Sequence, residues 1–308
     1  MIIDLVGNLL YQFADNMAFL LLSSLGLIII LGVLNIINLA HGELIMIGAY
    51  VASMSYYAGV PLWLCFVLSV VTVSLFGVFL ERAVISRFYE NRTGAMVATW
   101  GISLIISQGT LILLGPSMRP IPLPPWKFSI GVYSYSGYRV LLFVVALMLV
   151  FVLWVYLYKV RVGVFTRATM QDEEMAKGIG INTVGIGTLA FAIGAGFAGL
   201  TGALYAPTMS LVPLMGTVFT AMAFITVVVG GGANPIVGAL GSSALLAAVA
   251  TPLTNWFGTF IGRVGLLIAA LLIIRVMPNG ISGFVRELHA RRRAVESREG
   301  LEAARAPR

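Results

Sequence analysis

The chain has 308 residues, 59% of them apolar and only 10% charged, whereas a soluble chain carries about a quarter charged residues. That balance excludes a large globular domain on either side of a membrane and puts nearly everything inside the bilayer. Of the net charge of +7, the tail from Arg286 onward supplies seven Arg against four Glu and a modest excess is spread elsewhere; a basic tail of this kind marks a cytoplasmic face touching anionic lipid rather than a nucleic-acid site.

One cysteine, Cys65, and two histidines, His41 and His289, leave no disulfide framework and no multi-ligand metal site. The first residues, "MIIDLVGNLLYQFADN", hold Asp4 and Asp15 but no Lys or Arg. They lack the basic start of a secretory signal, so mature sequence is expected. Apolar stretches then follow at about 17–37, 39–58, 61–80, 95–115, 139–158, 183–205, 217–232, 235–252 and 260–277. Their lengths suit membrane helices. The expected fold is all-α, a polytopic membrane protein with eight or nine embedded helices. It divides into a transmembrane domain over 1–285 and a flexible basic cytoplasmic tail over 286–308. Polar or Gly-Pro interruptions in 39–58 and 217–252 predict that one or two segments are broken or re-entrant.

"NIINLAHGELIMIGAY", residues 35–50, places Asn35, Asn38, His41 and Glu43 within an apolar run. An ionisable group there costs about 3 kcal/mol on an insertion scale and is usually retained for function. On one continuous helix Asn35, Asn38 and Gly42 share a face, His41 sits at its edge and Glu43 projects elsewhere. Two arrangements fit: a break near Ala40–Gly42 that opens polar groups onto a cavity, or a separate interhelical contact for Glu43. The five residues Asn35, Asn38, His41, Gly42 and Glu43 either line or gate a solute path, or bond neighbouring helices and cap the join between two spans.

Basic residues set the orientation. Arg82, Arg87 and Arg92 mark one cytoplasmic loop and Lys159, Arg161, Arg167 and Lys177 a second, with "RRR" at 291–293 on the same side. Nine crossings leave the N-terminus outside. "GPSMRPIPLPPWKFSIGVYSYSGY", residues 115–138, becomes an ordered outer loop with interfacial rings. The segment "KVRVGVFTRATMQDEEMAKGIGINT" is the longest charged connection. Arg167 to Lys177 predicts one short helix ending at Gly178 and Gly180, with Ala168, Asp172, Met175 and Ala176 on one face. It is either a solvated connector or a docking helix for a cytoplasmic partner.

In "GIGTLAFAIGAGFAGLTGALY", residues 185–205, Gly194, Ala198 and Gly202 repeat every four residues, as do Ala195, Gly199 and Ala203. Two rows of small residues predict a span buried among other helices. The same glycines formally match a dinucleotide fingerprint, but no strand precedes them. No phosphate-binding G-x-x-x-x-G-K-[ST] loop, G-x-S-x-G elbow or H-E-x-x-H is present, so the chain is read as a transporter and not as an enzyme. A self-contained channel or secondary transporter would need intramembrane acids or an inverted repeat, and neither is clear.

Asn38, Ala40-His41-Gly42 and Gly48-Ala49-Tyr50 resemble a signature of the permease subunits of branched-chain amino-acid ABC importers. "ATWGISL" at 98–104, "RATMQDEEMAKGIGIN" at 167–182, "VVVGGGANPIVGALGS" at 227–242 and "VMPNGISG" at 276–283 extend the resemblance over nearly the whole chain. It implies an inner-membrane permease subunit whose segment 167–182 is the coupling helix seated on an ATPase. The residues assigned to that coupling are Arg167, Ala168, Asp172, Glu174, Ala176, Gly178 and Gly180. It also implies a second homologous permease, two cytoplasmic ATPase subunits and an extracytoplasmic solute-binding protein. ATP and Mg would sit on the partner subunits, with no cofactor in this chain. The coupling segment lacks the full Glu-Ala-Ala pattern of other importers. Trp100 and "MQDEEMA" look closer to the urea and short-amide branch of the family, so branched-chain amino acids and short amides both stay open as substrates.

Overall fold

A computed structural model describes residues 2–89, 91–130 and 133–288. His289 and "RRR" at 291–293 lie outside the described residues. Eleven α-helices follow in chain order: α1 Ile2–Leu34, α2 His41–Tyr57, α3 Leu62–Ala83, α4 Arg92–Leu114, α5 Gly137–Lys159, α6 Arg161–Gln171, α7 Glu173–Gly178, α8 Thr183–Tyr205, α9 Met215–Gly230, α10 Pro235–Phe257 and α11 Thr259–Val276. A further helical stretch occupies 280–288 and includes Arg286, while the rest of the tail expected over 286–308, beyond residue 288, lies outside the described residues.

Seven helices are long and apolar enough to cross a membrane. The other two predicted segments, α2 and α9, have 17 and 16 residues, short of the ~20 that a ~30 Å hydrocarbon layer needs. The first helix is longer than the apolar run suggested. It begins at Ile2 rather than near residue 17 and has 33 residues, about 50 Å at 1.5 Å per residue. Asp15 therefore lies inside a helix, N-terminal to the first apolar stretch read from the sequence.

The bundle is organised on α8. Its two small-residue rows are buried throughout, with Ala195, Ala198 and Ala203 fully enclosed. A Cβ added at Gly202 would sit 1.8 Å from the Ile45 carbonyl oxygen of α2, and one at Gly26 of α1 would sit 2.2 Å from the Gly194 carbonyl oxygen. On the third side Gly199 packs on the Ser69 carbonyl of α3. Lipid is as apolar as Leu, so close backbone packing and interhelical hydrogen bonds must hold such helices together. The Thr201 hydroxyl donates to the Leu22 carbonyl (2.9 Å), Ser69 to Gly48 (2.9 Å) and Tyr138 to Leu204 (2.7 Å).

The predicted outer loop is ordered and holds the only strands among the described residues, β1 Lys127–Ile130 paired antiparallel with β2 Tyr133–Ser136. Met118 N–H donates to the Leu211 carbonyl (2.9 Å), and Ser53 and Tyr57 at the end of α2 donate to the Arg119 and Pro120 carbonyls (2.6 and 2.9 Å). Trp126, Phe128 and Tyr133 stay exposed there, as expected for interfacial rings.

The 159–182 segment departs from the single-helix expectation. Asp172 is extended (φ −157°, ψ 106°) and its carboxylate accepts from the Met175 N–H (2.9 Å), so α6 ends and a second helix, α7, starts. A short acidic side chain favours capping a helix over continuing one. The predicted shared face is thereby lost: Ala176 is buried, whereas Met175 is 65% and Ile179 70% exposed. Gly180 closes the elbow at φ +87°, a conformation glycine adopts without steric cost.

Packing on α8 gives a direct test. Gly202→Val drives a branched side chain into α2 backbone and should lower stability by about 3 kcal/mol or abolish folded yield. Gly101→Ala, where an added Cβ meets open space, should leave the thermal transition of the purified protein unchanged.

Candidate functional site

The polar stretch sits where the chain turns back into the membrane. After Leu34 the helix stops. Asn35 takes a left-handed backbone (φ 51°), which Asn tolerates better than most residues. Residues 35–40 are non-helical and α2 begins at His41. The break falls slightly before the Ala40–Gly42 position suggested by the sequence. His41 Nε2 lies 2.9 Å from the Ser23 carbonyl oxygen, so that nitrogen carries the proton and Nδ1 is left as an acceptor. Ser23 and Gly26, which the imidazole also touches, precede the end of α1 by about 12–16 Å of helix. The unwound segment retraces that depth.

Irregular backbone at membrane depth has to be satisfied by protein groups. Asn38 Oδ1 accepts from the Ala40 N–H (3.0 Å), and the Thr99 hydroxyl of α4 accepts from the Leu39 N–H (3.2 Å). Gly42 N–H donates to the Thr220 hydroxyl of α9 (2.9 Å) and packs on the Gly216 carbonyl, where a Cβ would lie 1.8 Å away. The starts of α2 and α9, the two short helices, thus meet backbone to backbone.

The predicted polar residues separate into two places. Asn38, His41 and Glu43 are buried and line none of the three cavities of ≈ 250, ≈ 530 and ≈ 500 Å³. Each leaves one polar atom without a partner: Asn38 Nδ2, His41 Nδ1 and Glu43 Oε2. The Ser103 hydroxyl of α4 faces the Glu43 carboxyl. Asn35 lies apart, its amide oxygen accepting from both terminal nitrogens of Arg92 (3.1 Å each). It lines a cavity of ≈ 530 Å³ together with Arg92, Met170, Gln171 and Glu173.

That cavity shares Met170, Gln171, Val228, Gly231 and Gly232 with a neighbouring space of ≈ 500 Å³. Two of the quoted sequence motifs build its wall. Gly231 of "VVVGGGANP" and Gly280 of "VMPNGISG" both have positive φ, 74° and 69°. A Cβ at Gly280 would lie 2.5 Å from the Gly231 Cα, so the two turns touch through backbone.

The residues expected to serve coupling frame the same end of the bundle. Gly163 lets α6 fold back on α5, since a Cβ there would sit 1.9 Å from the Tyr156 carbonyl oxygen. Arg167 stacks over the Tyr158 ring (4.5 Å to the centroid). Ala168 is half-buried, while Asp172, Glu174, Gly178 and Gly180 are exposed. Sequence reasoning missed Ile179, whose exposed side chain beside Met175 makes the tip of the elbow apolar; an apolar residue just past a helix end was the available signal.

Beside the elbow, the Tyr89 hydroxyl donates a very short hydrogen bond to Glu81, at the end of α3. Burial, with Glu81 next to it, pushes the Tyr89 phenol well above the ordinary tyrosine range. No motif or spacing in the sequence joins these two residues, which lie on either side of a 3-10 turn, Ile85–Phe88.

At the opposite end of the bundle a cavity of ≈ 250 Å³ opens among α1, α5, α9, α10 and α11. Its charged residues are Asp15, Arg139 and Arg263, and Asp15 is paired with Arg139. Nothing local in the sequence connects Arg263 to Asp15, 248 residues away.

Three substitutions test the local chemistry. Tyr89→Phe removes a buried donor from Glu81 and should destabilise the protein by about 1–3 kcal/mol. The Tyr89 contribution should be complete below about pH 10 and fall above it, because the native state holds the phenolic proton more tightly than the unfolded chain; unfolding followed against pH checks both. His41→Ala and Asn38→Ala should each lower solute uptake by the assembled transporter, and normal uptake by both would leave them a purely structural role.

Comparison with known proteins accounts for these motifs together. Residues 9–277 match the family described as "Branched-chain amino acid transport system / permease component". The chain is 29% identical to the high-affinity branched-chain amino acid transport system permease protein BraD of Pseudomonas aeruginosa, covering 85% of this chain and 91% of BraD. It is 28% identical to the corresponding LivH of Escherichia coli, over 85% and 90% of the two chains. LivM of Salmonella typhimurium is 27% identical over 85% of this chain and 67% of its own. No solved structure matches. With a family match over nearly its whole membrane-embedded length, this chain belongs to the permease components of branched-chain amino acid transport systems, a multi-pass membrane transport subunit and not an enzyme.

Proposed function

We propose that this chain carries branched-chain amino acids across the inner membrane as one of two homologous permease subunits of an ATP-driven importer. Similarity to both LivH and LivM supports a paired arrangement. The names of these relatives favour branched-chain amino acids over short amides. Trp100, which suggested the amide branch, is exposed on α4 and borders neither end's cavity. ATP and Mg belong to two ATPase subunits, and an extracytoplasmic protein delivers the solute. The N-terminus lies outside and the 159–182 segment, with the basic tail, lies in the cytoplasm.

One observation carries the mechanism: the α6–α7 elbow exposes Met175 and Ile179 at its tip while Met170 and Gln171, at its base, line the cavity that also holds Asn35 and Arg92. Exposed apolar groups ringed by Glu173, Glu174 and Lys177 suit a docking surface. A push on the tip by a closing ATPase pair would be delivered through α6 to the ends of α1 and α9. Alternating access then follows from rigid movement of these helix ends.

Glu174→Lys and Ile179→Asp should uncouple the importer, lowering uptake at least tenfold while membrane insertion and helical content stay normal. Uptake of labelled leucine, with urea and acetamide as competitors, by the complete reconstituted complex checks this. Unimpaired uptake in both variants overturns the docking assignment, and flux through this chain alone overturns the importer reading.

A further inference from the structure

The ≈ 250 Å³ cavity at the end opposite the elbow has no part in the coupling just described. Its size suits a solute of amino-acid dimensions, below the ~300–1,000 Å³ typical of drug-sized ligands. Its polar side is unusual for a membrane bundle. Asp15 and Arg139 form an ion pair between α1 and α5, so both signs of charge stand together at one wall. The Tyr205 hydroxyl is buried without a hydrogen-bond partner, close enough to Asp15 and Arg139 to feel their charges. Arg263, in the first turns of α11, lines the same space and neither donates a hydrogen bond nor forms an ion pair among the described residues. The cavity therefore carries one excess positive charge and an unused hydroxyl. Its other side is apolar, formed by Phe19, Val218, Met222 and Leu266.

A buried hydroxyl left without a partner is costly, and the Arg263 guanidinium, exposed near the start of α11, is left unengaged. A bound solute would supply both missing partners. A carboxylate answers Arg263 and the Tyr205 hydroxyl together, an ammonium answers Asp15, and a branched aliphatic chain answers the apolar wall. We propose that this cavity is a solute-binding station within the permease itself, taking a zwitterionic α-amino acid with an aliphatic side chain. The inference rests on the amino-acid reading given above and adds a site to it. Transfer of solute from a binding protein to such a station would let the permease contribute its own selectivity.

The test is equilibrium binding of labelled leucine to the permease pair with its ATPase subunits in lipid nanodiscs, with no solute-binding protein present. Uptake by the complete wild-type importer is measured in parallel. Wild type should bind leucine saturably, and isoamylamine, which lacks the carboxylate, should fail to compete. Arg263→Ala should weaken binding at least tenfold, and Met222→Trp should abolish it by filling the space. Should Met222→Trp fail to assemble, Arg263→Ala still decides the matter, because Arg263 is an exposed residue near the start of α11. Unchanged binding in Arg263→Ala overturns the proposal. So does absence of saturable binding beside normal wild-type uptake, an outcome that leaves the importer function standing. A lipid displaced from the wild-type cavity by Met222→Trp, detected by mass spectrometry without leucine binding, likewise overturns it. No leucine uptake by the wild-type importer overturns the substrate reading and the station with it.

Discussion

Backbone contact along α8 is the constraint on which the rest of the structure depends. In hydrocarbon, apolar side chains gain nothing by leaving lipid for one another, so helices associate where their backbones can come close and their polar groups can bond. Gly194, Gly199 and Gly202 provide that approach on three sides, towards α1, α2 and α3. Hydroxyls of Thr201 and Ser69 bond across the same seams. With three neighbours held at backbone distance, side-chain volume is left to fill the periphery.

This rigid centre makes the irregular segment beside it possible. Residues 35–40 give up their helical bonds within the membrane, and the loss is tolerated because Asn38, Thr99 and Thr220 replace those bonds from three different elements. The short helices α2 and α9 start at this junction and meet at Gly42 and Gly216. A chain with full-length spans at these positions would have neither the junction nor the buried imidazole bonded to the Ser23 carbonyl. The unpartnered atoms of Asn38, His41 and Glu43 identify the junction as a place where a modest rearrangement could gain hydrogen bonds, which is a property suited to an element with two arrangements.

Both ends of the bundle carry cavities of contrasting character. At the elbow end the space is wide and walled by turns, with Gly231 and Gly280 in contact and Arg92 held by Asn35. At the other end it is smaller and combines an ion pair with an apolar face. Between them runs α1, which contributes Asp15 to one and Asn35, just past its C-terminal end, to the other. One helix thereby links the two openings, so displacement along its axis is felt at both.

The sequence by itself determined the membrane class, the positions of nearly all spans and the burial of the α8 rows, and it held the break in the polar stretch as one of two arrangements. Each is written in local composition or in spacing of three and four residues, which helix geometry translates directly into a face or an end. Asn35, Asn38, His41 and Glu43 were legible as unusual for the same reason, because a polar group in an apolar run stands out without any knowledge of its neighbours. Tertiary structure alone decided their partners. It separated Asn35, on a cavity with Arg92, from Asn38 and His41, buried against α4 and α1. It split the expected coupling helix at Asp172, where capping a new helix won over helical continuity. It also joined Asp15 to Arg139 and brought Arg263 to the same cavity. These pairings span more than a hundred residues of chain, and no local period encodes which distant helix a side chain will face.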